Sequence, residues 1–219
     1  MGYHFPPLYH NLNILFSNDS LEKYKRINNE VETFLLFDIR FYDAIKKVIS
    51  IENLNHKNIL ICINETDNLD TLIETAKQLN ILSYSVTIRP HPRDKGKYKE
   101  IQGCKISECG SIWDDLNNAD IVLANESGVA LEAIFARKLF YKCAFFSSSI
   151  DNYSFLAKGI LSKEFYNFEE LIIDMNLRKI VYNDKLLPYF IGDFENITHK
   201  IGELNVKLSS KHRNAKKNN

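Results

Sequence analysis

Glycine and proline are scarce: eight Gly and five Pro in 219 residues. That excludes collagen-like repeats and low-complexity segments, which need far more of both. Cysteine is scarce too, and four in a chain of this length exclude a disulfide-stapled secreted scaffold. Cys62 and Cys143 lie in apolar, strand-like runs where a free Cys behaves as a small hydrophobe, and Cys104 and Cys109 lack the second pair that a zinc site wants. Net charge is absent: 28 Lys and Arg balance 28 Asp and Glu, so nothing draws the whole chain to nucleic acid or an anionic membrane. No run approaches the roughly 20 apolar residues of a membrane span, and Met1 to Asn11 carries no basic-then-apolar leader. The sequence also lacks a G-x-G-x-x-G or Walker loop, a G-x-S-x-G elbow, a D-x-D pair and any two histidines at helical spacing. A dinucleotide fingerprint, an ordinary α/β hydrolase and a dedicated metal site are excluded on that ground, and no cofactor is expected. What remains is a globular, cytoplasmic, reduced protein that recognises its partner through a local site, with no nucleic acid among its partners.

The 45% hydrophobic content is arranged in alternating short runs. Ile59 to Ile63 is a continuous apolar run, as in a strand buried on both faces of a parallel sheet. Leu69, Leu72, Ile73, Ala76 and Leu79 then mark one face of a helix. A strand from Tyr84 to Ile88 stops at Pro90, a short strand is expected at Lys105 to Ser107, and a short helix at Ile112 to Ala119. Asp120 to Ala124, Val129 to Lys138 and Leu139 to Cys143 read as strand, helix and strand. The repetition predicts an α/β fold: a Rossmann-like, doubly wound parallel sheet, with ligands beyond the carboxyl ends of its strands. Later helices are expected through Phe168 to Met175, with Asn167 as N-cap, and from Phe194 to Leu204. The expected organisation is a partial α/β segment over 1–57, with strands at Leu12 to Phe16 and Thr33 to Phe37 and helical patches at Leu21 to Ile27 and Phe41 to Ile49. A donor-binding domain over 58–208 and a basic, disordered tail over 209–219 follow. The tail is the one feature that offers peripheral contact with an anionic membrane.

Two stretches carry chemistry. In Arg89-Pro90-His91-Pro92-Arg93, a strand runs into two prolines that stiffen the chain around a histidine flanked by arginines, a donor set suited to phosphate; the alternative is a surface loop whose prolines merely end a strand. In Asn125-Glu126-Ser127-Gly128, a strand turns into a helix through small and polar residues, as in an anion site, with Glu132 one turn on as an acceptor for ribose hydroxyls. Ser127 as a simple N-cap and Glu132 as a first-turn acid stand beside that reading. Asn64, Glu65 and Thr66 follow the first strand and face the same crevice if the sheet is parallel. Ser147 to Ser149 with Asp151 to Tyr153 either close over a ligand or form an ordinary loop.

RPHPRD after a buried strand, followed by ADIVLANESGVALEAIFARKLFYK, resembles the nucleotide-binding C-terminal half of GT-B glycosyltransferases. It is most similar to the bacterial sialyltransferase, polysialyltransferase and capsule-polymerase group with an HP motif, and also to CDP-glycerol polymer transferases. The resemblance covers about Asn58 to Leu161. It implies an inverting, metal-independent transfer in surface-polysaccharide synthesis, from a nucleotide-sugar donor, CMP-linked, to a glycan or lipid-linked glycan acceptor. By position it makes His91 catalytic at the donor phosphate, and Pro92, Ser127 and Glu132 donor-binding. Arg89, Arg93, Asn64, Asn125 and Gly128 join them from their own placement. Glu126 departs from the two adjacent hydroxyl residues of the sialyltransferase motif. The base that activates the acceptor would come from the N-terminal part, where Asp19, Glu22, Glu30, Glu32 and Asp38 are available and no motif selects among them. The short N-terminal part keeps two alternatives open: a non-catalytic or partner-dependent nucleotide-binding half, as homodimer or with another subunit, and a sugar-nucleotide epimerase.

Overall fold

A computed structural model describes residues 12–26, 32–42, 44, 57–94, 103–108, 110–148, 152–194 and 196–217, with side chains through Ser210. The chain divides into two compact units: residues 43–186, and residues 1–42 with 187–219.

The larger unit is built on a six-stranded, all-parallel sheet. Its strands are β3 (Asn58–Cys62), β4 (Ser85–Arg89), β5 (Lys105–Ile106), β6 (Ile121–Ala124), β7 (Leu139–Cys143) and β8 (Glu164–Phe165), in the spatial order β5-β4-β3-β6-β7-β8. The chain works outward from β3 in one direction and then returns to β3's other side, which is the doubly wound arrangement expected from the sequence. Because strand residues alternate faces, Ile59, Ile61, Ile88, Leu123, Tyr141 and Phe165 meet helices α2 (Leu69–Ile81) and α5 (Phe168–Asn176) on one side. Each of these large side chains is essentially fully buried, and each contributes about 1.5–3 kcal/mol by leaving water. Leu60, Val122 and Phe140 point the other way, on the face that also carries Arg89 and Lys142.

The helices start where their caps predict. Asn68 and Asn167 accept the N–H groups of Thr71 and Glu170, and Ser111 accepts that of Trp113 at the start of α3 (Ile112–Asn118). Helix α4 (Val129–Phe135) is shorter than the expected run to Lys138. It closes at Arg137, whose φ of 56° is left-handed, while the Lys138 N–H reaches back to the Ala133 carbonyl at 2.9 Å. Strand β8, at Glu164–Phe165, is an element that the sequence did not mark.

In the smaller unit, β1 (Asn13–Leu15) pairs in parallel with β2 (Thr33–Leu35), and α1 (Asn18–Lys25) is capped by Ser17. Helices α6 (Leu187–Ile191) and α7 (Ile197–Lys217) complete it. Residues 187–208 therefore group with the N-terminal segment rather than with the sheet. The Asp38 N–H bonds the Ile191 carbonyl at 2.7 Å, and Phe37 packs on Phe194 with ring centroids 5.1 Å apart. Gly192, at φ 88°, lies so close to the backbone of Phe16, Leu36 and Phe37 that a Cβ would meet it at 2.6–2.7 Å. The segment expected as a disordered tail from Ser209 continues α7 to Lys217, because no Gly or Pro interrupts residues 203–217. Most of the expected helical patch at Phe41 to Ile49 lies outside the described residues. Among the described residues no helix is long and apolar enough to cross a membrane.

Candidate functional site

A doubly wound sheet opens a crevice where its winding reverses, here between the carboxyl ends of β3 and β6. Three loops meet at that edge: residues 63–68 after β3, 90–94 after β4 and 125–128 after β6. The Asn64 side chain crosses the reversal point and donates to the Glu126 carbonyl at 2.6 Å, while its own N–H donates to Asp67 Oδ2 at 2.8 Å. Asn125, nearly fully buried, donates to the Ser147 carbonyl at 3.3 Å and to its hydroxyl at 3.1 Å. Both asparagines expected at the ligand thus tie one loop to the next and set the shape of the crevice.

The half-buried His91 follows β4 between its prolines, and Pro92–Asp94 form a single 3-10 turn. The Arg93 N–H donates to His91 Nδ1 at 3.3 Å, and Glu65 Oε1 lies 3.3 Å from the same nitrogen and 3.4 Å from the Arg93 guanidinium. Arg93 is exposed. Arg89 is placed differently. Ile88 points to the α2 side of the sheet, so Arg89 points to the other, where α3 presents Asp115. The two form a tight ion pair, and the Ser107 hydroxyl donates to both Asp115 oxygens at 2.7 Å. Arg89 braces β4 and β5 against α3 beneath the crevice.

At the β6 turn the Ser127 hydroxyl accepts the Val129 N–H at 3.3 Å, and its own O–H remains a donor. Gly128 takes right-handed helical angles with no side-chain cap. Glu126 turns inward instead: its carboxylate is 3.1 Å from Lys142 Nζ and accepts the Tyr153 N–H at 2.9 Å. Lys142 also holds Glu164 at 3.1 Å. Burial pushes the Glu164 carboxyl up, but hydrogen bonds from Tyr166 and Lys142, with the Lys142 charge, outweigh it and hold the group below its usual value. Where the sialyltransferase motif has a second hydroxyl, this chain has a buried anchor that brings Tyr153 over the turn. The Tyr153 ring stacks on Phe155 at 5.1 Å. Glu132 is buried on α4, on the same side of the sheet as Arg89 and Asp115. With them it acts on the Cys62 thiol, whose pKa burial pushes far up, Arg89 opposing and both carboxylates adding.

Asp67 is the perturbed carboxylate of the turn after β3. Burial pushes its carboxyl up to about 6, and the Asn64 N–H and the Asn125 amide pull the other way without offsetting it. Its Oδ1 is buried with no hydrogen-bond partner. Sequence reasoning passed over Asp67, Asp115 and Lys142. Tyr153 and Glu65 appeared there only as loop residues. Asp115, Lys142, Tyr153 and Glu65 act through residues distant in the chain, and Asp67 bonds within its own turn, where polar residues are commonplace.

No family model matches the chain, and no curated protein does. Among solved structures, a TagF chain soaked with CDPG superposes with a TM-score of 0.54 at 14% identity, over 92% of this chain and 58% of that one. The chain shares its fold with the wall teichoic acid polymerase TagF. It spans less than two thirds of the TagF chain. The TagF likeness bears out the GT-B, Rossmann-like fold expected from the sequence.

Of the donor-site expectations, the structure brings Asn64, Asn125, Ser127 and Gly128 together at the reversal point, with His91, Pro92 and Arg93 on the loop after β4. Arg89 and Glu132 lie below it, Arg89 half-buried against Asp115 and Glu132 buried on α4. Of the candidate bases, Asp19, Glu32 and Asp38 belong to the other unit and pair with Lys23, Lys207 and Arg40. Glu30 lies outside the described residues. No group of three potential metal ligands occurs among the described residues.

Proposed function

We propose that this chain binds a cytidine nucleotide donor, CMP-linked or CDP-linked, and serves transfer of the donor's sugar or glycerophosphate group to a bacterial surface polymer. The observation that carries the reading is the convergence of His91, Ser127 and Gly128 on the mouth of a doubly wound sheet. An imidazole, a hydroxyl and a turn without a side chain are donors and space suited to a phosphate. The fold shared with TagF, a wall teichoic acid polymerase that was soaked with CDPG, supports the donor class.

The chemistry follows from the geometry. In transfer, the bond from the donor's nucleotide phosphate to the migrating group breaks, and negative charge gathers on the departing phosphate. Preorganised donors at that point lower the barrier because they need no reorganisation when the charge appears. His91 donates from the β4 loop and Ser127 from the β6 turn, on opposite sides of β3. Burial of the crevice floor makes both interactions stronger than in water. Asn64 and Asn125 hold the loops at fixed separation, and Arg93 adds positive charge at the rim. The acceptor is a glycan or lipid-linked glycan.

CMP or CDP at about a hundred times its Kd stabilises a folded chain by about 2.7 kcal/mol. In a chain of this size that raises Tm by roughly 5–11 °C, with no metal added and with no rise in His91→Ala. The larger rise identifies CMP- or CDP-linked donors. No rise with CMP, CDP, UDP or GDP would refute the reading, and donor hydrolysis or transfer by the bound chain separates catalysis from binding alone.

A further inference from the structure

One nitrogen of His91 has two competing partners. The Arg93 N–H donates to Nδ1, which requires the lone pair there, whereas Glu65 Oε1 at 3.3 Å can only accept, which requires a proton there. The two contacts exclude each other through a single nitrogen, so each belongs to one charge state of the ring. The local sequence sets this up. Pro92 has no N–H and opens the 3-10 turn, so the first amide able to cap against the ring is that of Arg93. Pro90 and Pro92 restrict the backbone on both sides of the histidine. Nε2 makes no bond to any described residue.

We propose that His91 presents Nε2–H as a donor in both of its charge states, the Arg93 N–H fixing the neutral tautomer and Glu65 acting as the positioning residue that receives the Nδ1 proton of the imidazolium. In the neutral ring, the Arg93 N–H occupies the Nδ1 lone pair and the single proton sits on Nε2. In the imidazolium, the added proton sits on Nδ1 and turns to Glu65, and Nε2 keeps its own. Among the described residues, the charged groups facing the ring are Glu65, from the turn after β3, and Arg93, from its own loop. Arg93 shares the same Glu65 oxygen at 3.4 Å, so the carboxylate stays paired while the ring is neutral. Proton uptake then changes this rim trio from neutral to one net positive charge, suiting a phosphate as its negative charge grows. Only the identity of the group that receives Nε2–H rests on the nucleotide reading above.

Imidazole 15N–1H spectra of the ligand-free chain test the tautomer, with His91 identified by the signals lost in His91→Gln. At about pH 8.5, above the ordinary histidine range, neutral His91 is expected as the Nε2–H tautomer. At about pH 5 a slowly exchanging Nδ1 proton is expected in the parent chain. In Glu65→Gln that protection is lost while the alkaline tautomer stays. A neutral ring protonated on Nδ1, or an Nδ1 proton equally protected without the Glu65 charge, would overturn the proposal. CMP is added last: a shifted Nε2–H supports both readings, and an unmoved one defeats the phosphate reading while the tautomer stands or falls on the ligand-free spectra.

Discussion

Gly128→Ala separates binding from folding. Gly128 has φ −60° and ψ −18°, angles that alanine adopts without strain. A methyl group built there meets nothing closer than the Tyr153 hydroxyl at 3.6 Å and ring carbons at 3.9 Å, ordinary van der Waals contacts. Gly128 makes no side-chain cap bond for alanine to lose. Restricting the unfolded chain at such a position stabilises by about 0.4–1 kcal/mol, equivalent to about 1–4 °C in Tm for a chain of this length. The methyl would occupy the space through which a phosphate approaches the Ser127–Gly128 backbone, so affinity for CMP or CDP should fall at least about tenfold, or 1.4 kcal/mol. Calorimetric titration of both chains, beside their melting curves, gives the two numbers separately. Unchanged affinity with raised stability would show that the ligand makes no use of the missing side chain. Lowered stability would refute the packing on which the calculation rests.

Two further substitutions test the frame around the site. Asp115→Ala takes the carboxylate from the half-buried Arg89 guanidinium, which keeps its contact with the Ser111 carbonyl, and strips Ser107 of its acceptor, so urea unfolding should show a loss of about 2–4 kcal/mol; the double variant Arg89→Met with Asp115→Leu should recover at least half of it. Asp67→Asn tests the buried carboxyl. Its pKa is about 6 in the folded chain against 3.8 ordinarily, so the folded state binds the extra proton between those values. The stabilisation from that proton is present below about pH 4 and is lost as pH rises through about 6. Asparagine removes the charge, so the variant should be more stable than the parent by about 1–3 kcal/mol at pH 7 and equal to it near pH 4. A pH-independent difference would contradict the burial.

The sequence determined the order and kind of the elements in the larger unit up to β7, and helix α5 beyond it. Its signals are local: the run at Ile59 to Ile63, the helical spacing from Leu69 to Leu79, the caps Asn68 and Asn167, and the prolines that end β4. It also marked His91 and the Ser127-Gly128 turn, because a strand followed at once by rigid or small polar residues is visible within ten positions. Tertiary structure decided what those residues touch. Arg89 reads as a phosphate ligand by proximity to His91, yet strand alternation sends it to the opposite face, where Asp115 waits 26 positions later. Glu126 reads as a defect in a serine motif until β7 lies beside β6 and brings Lys142 against it. Glu65 reaches His91, and Asn64 reaches Glu126, only because β4 and β6 flank β3 on opposite sides. Periodicity and punctuation are properties of neighbours along the chain, whereas the side chains that meet at a strand end depend on which strands are adjacent and which face each residue takes.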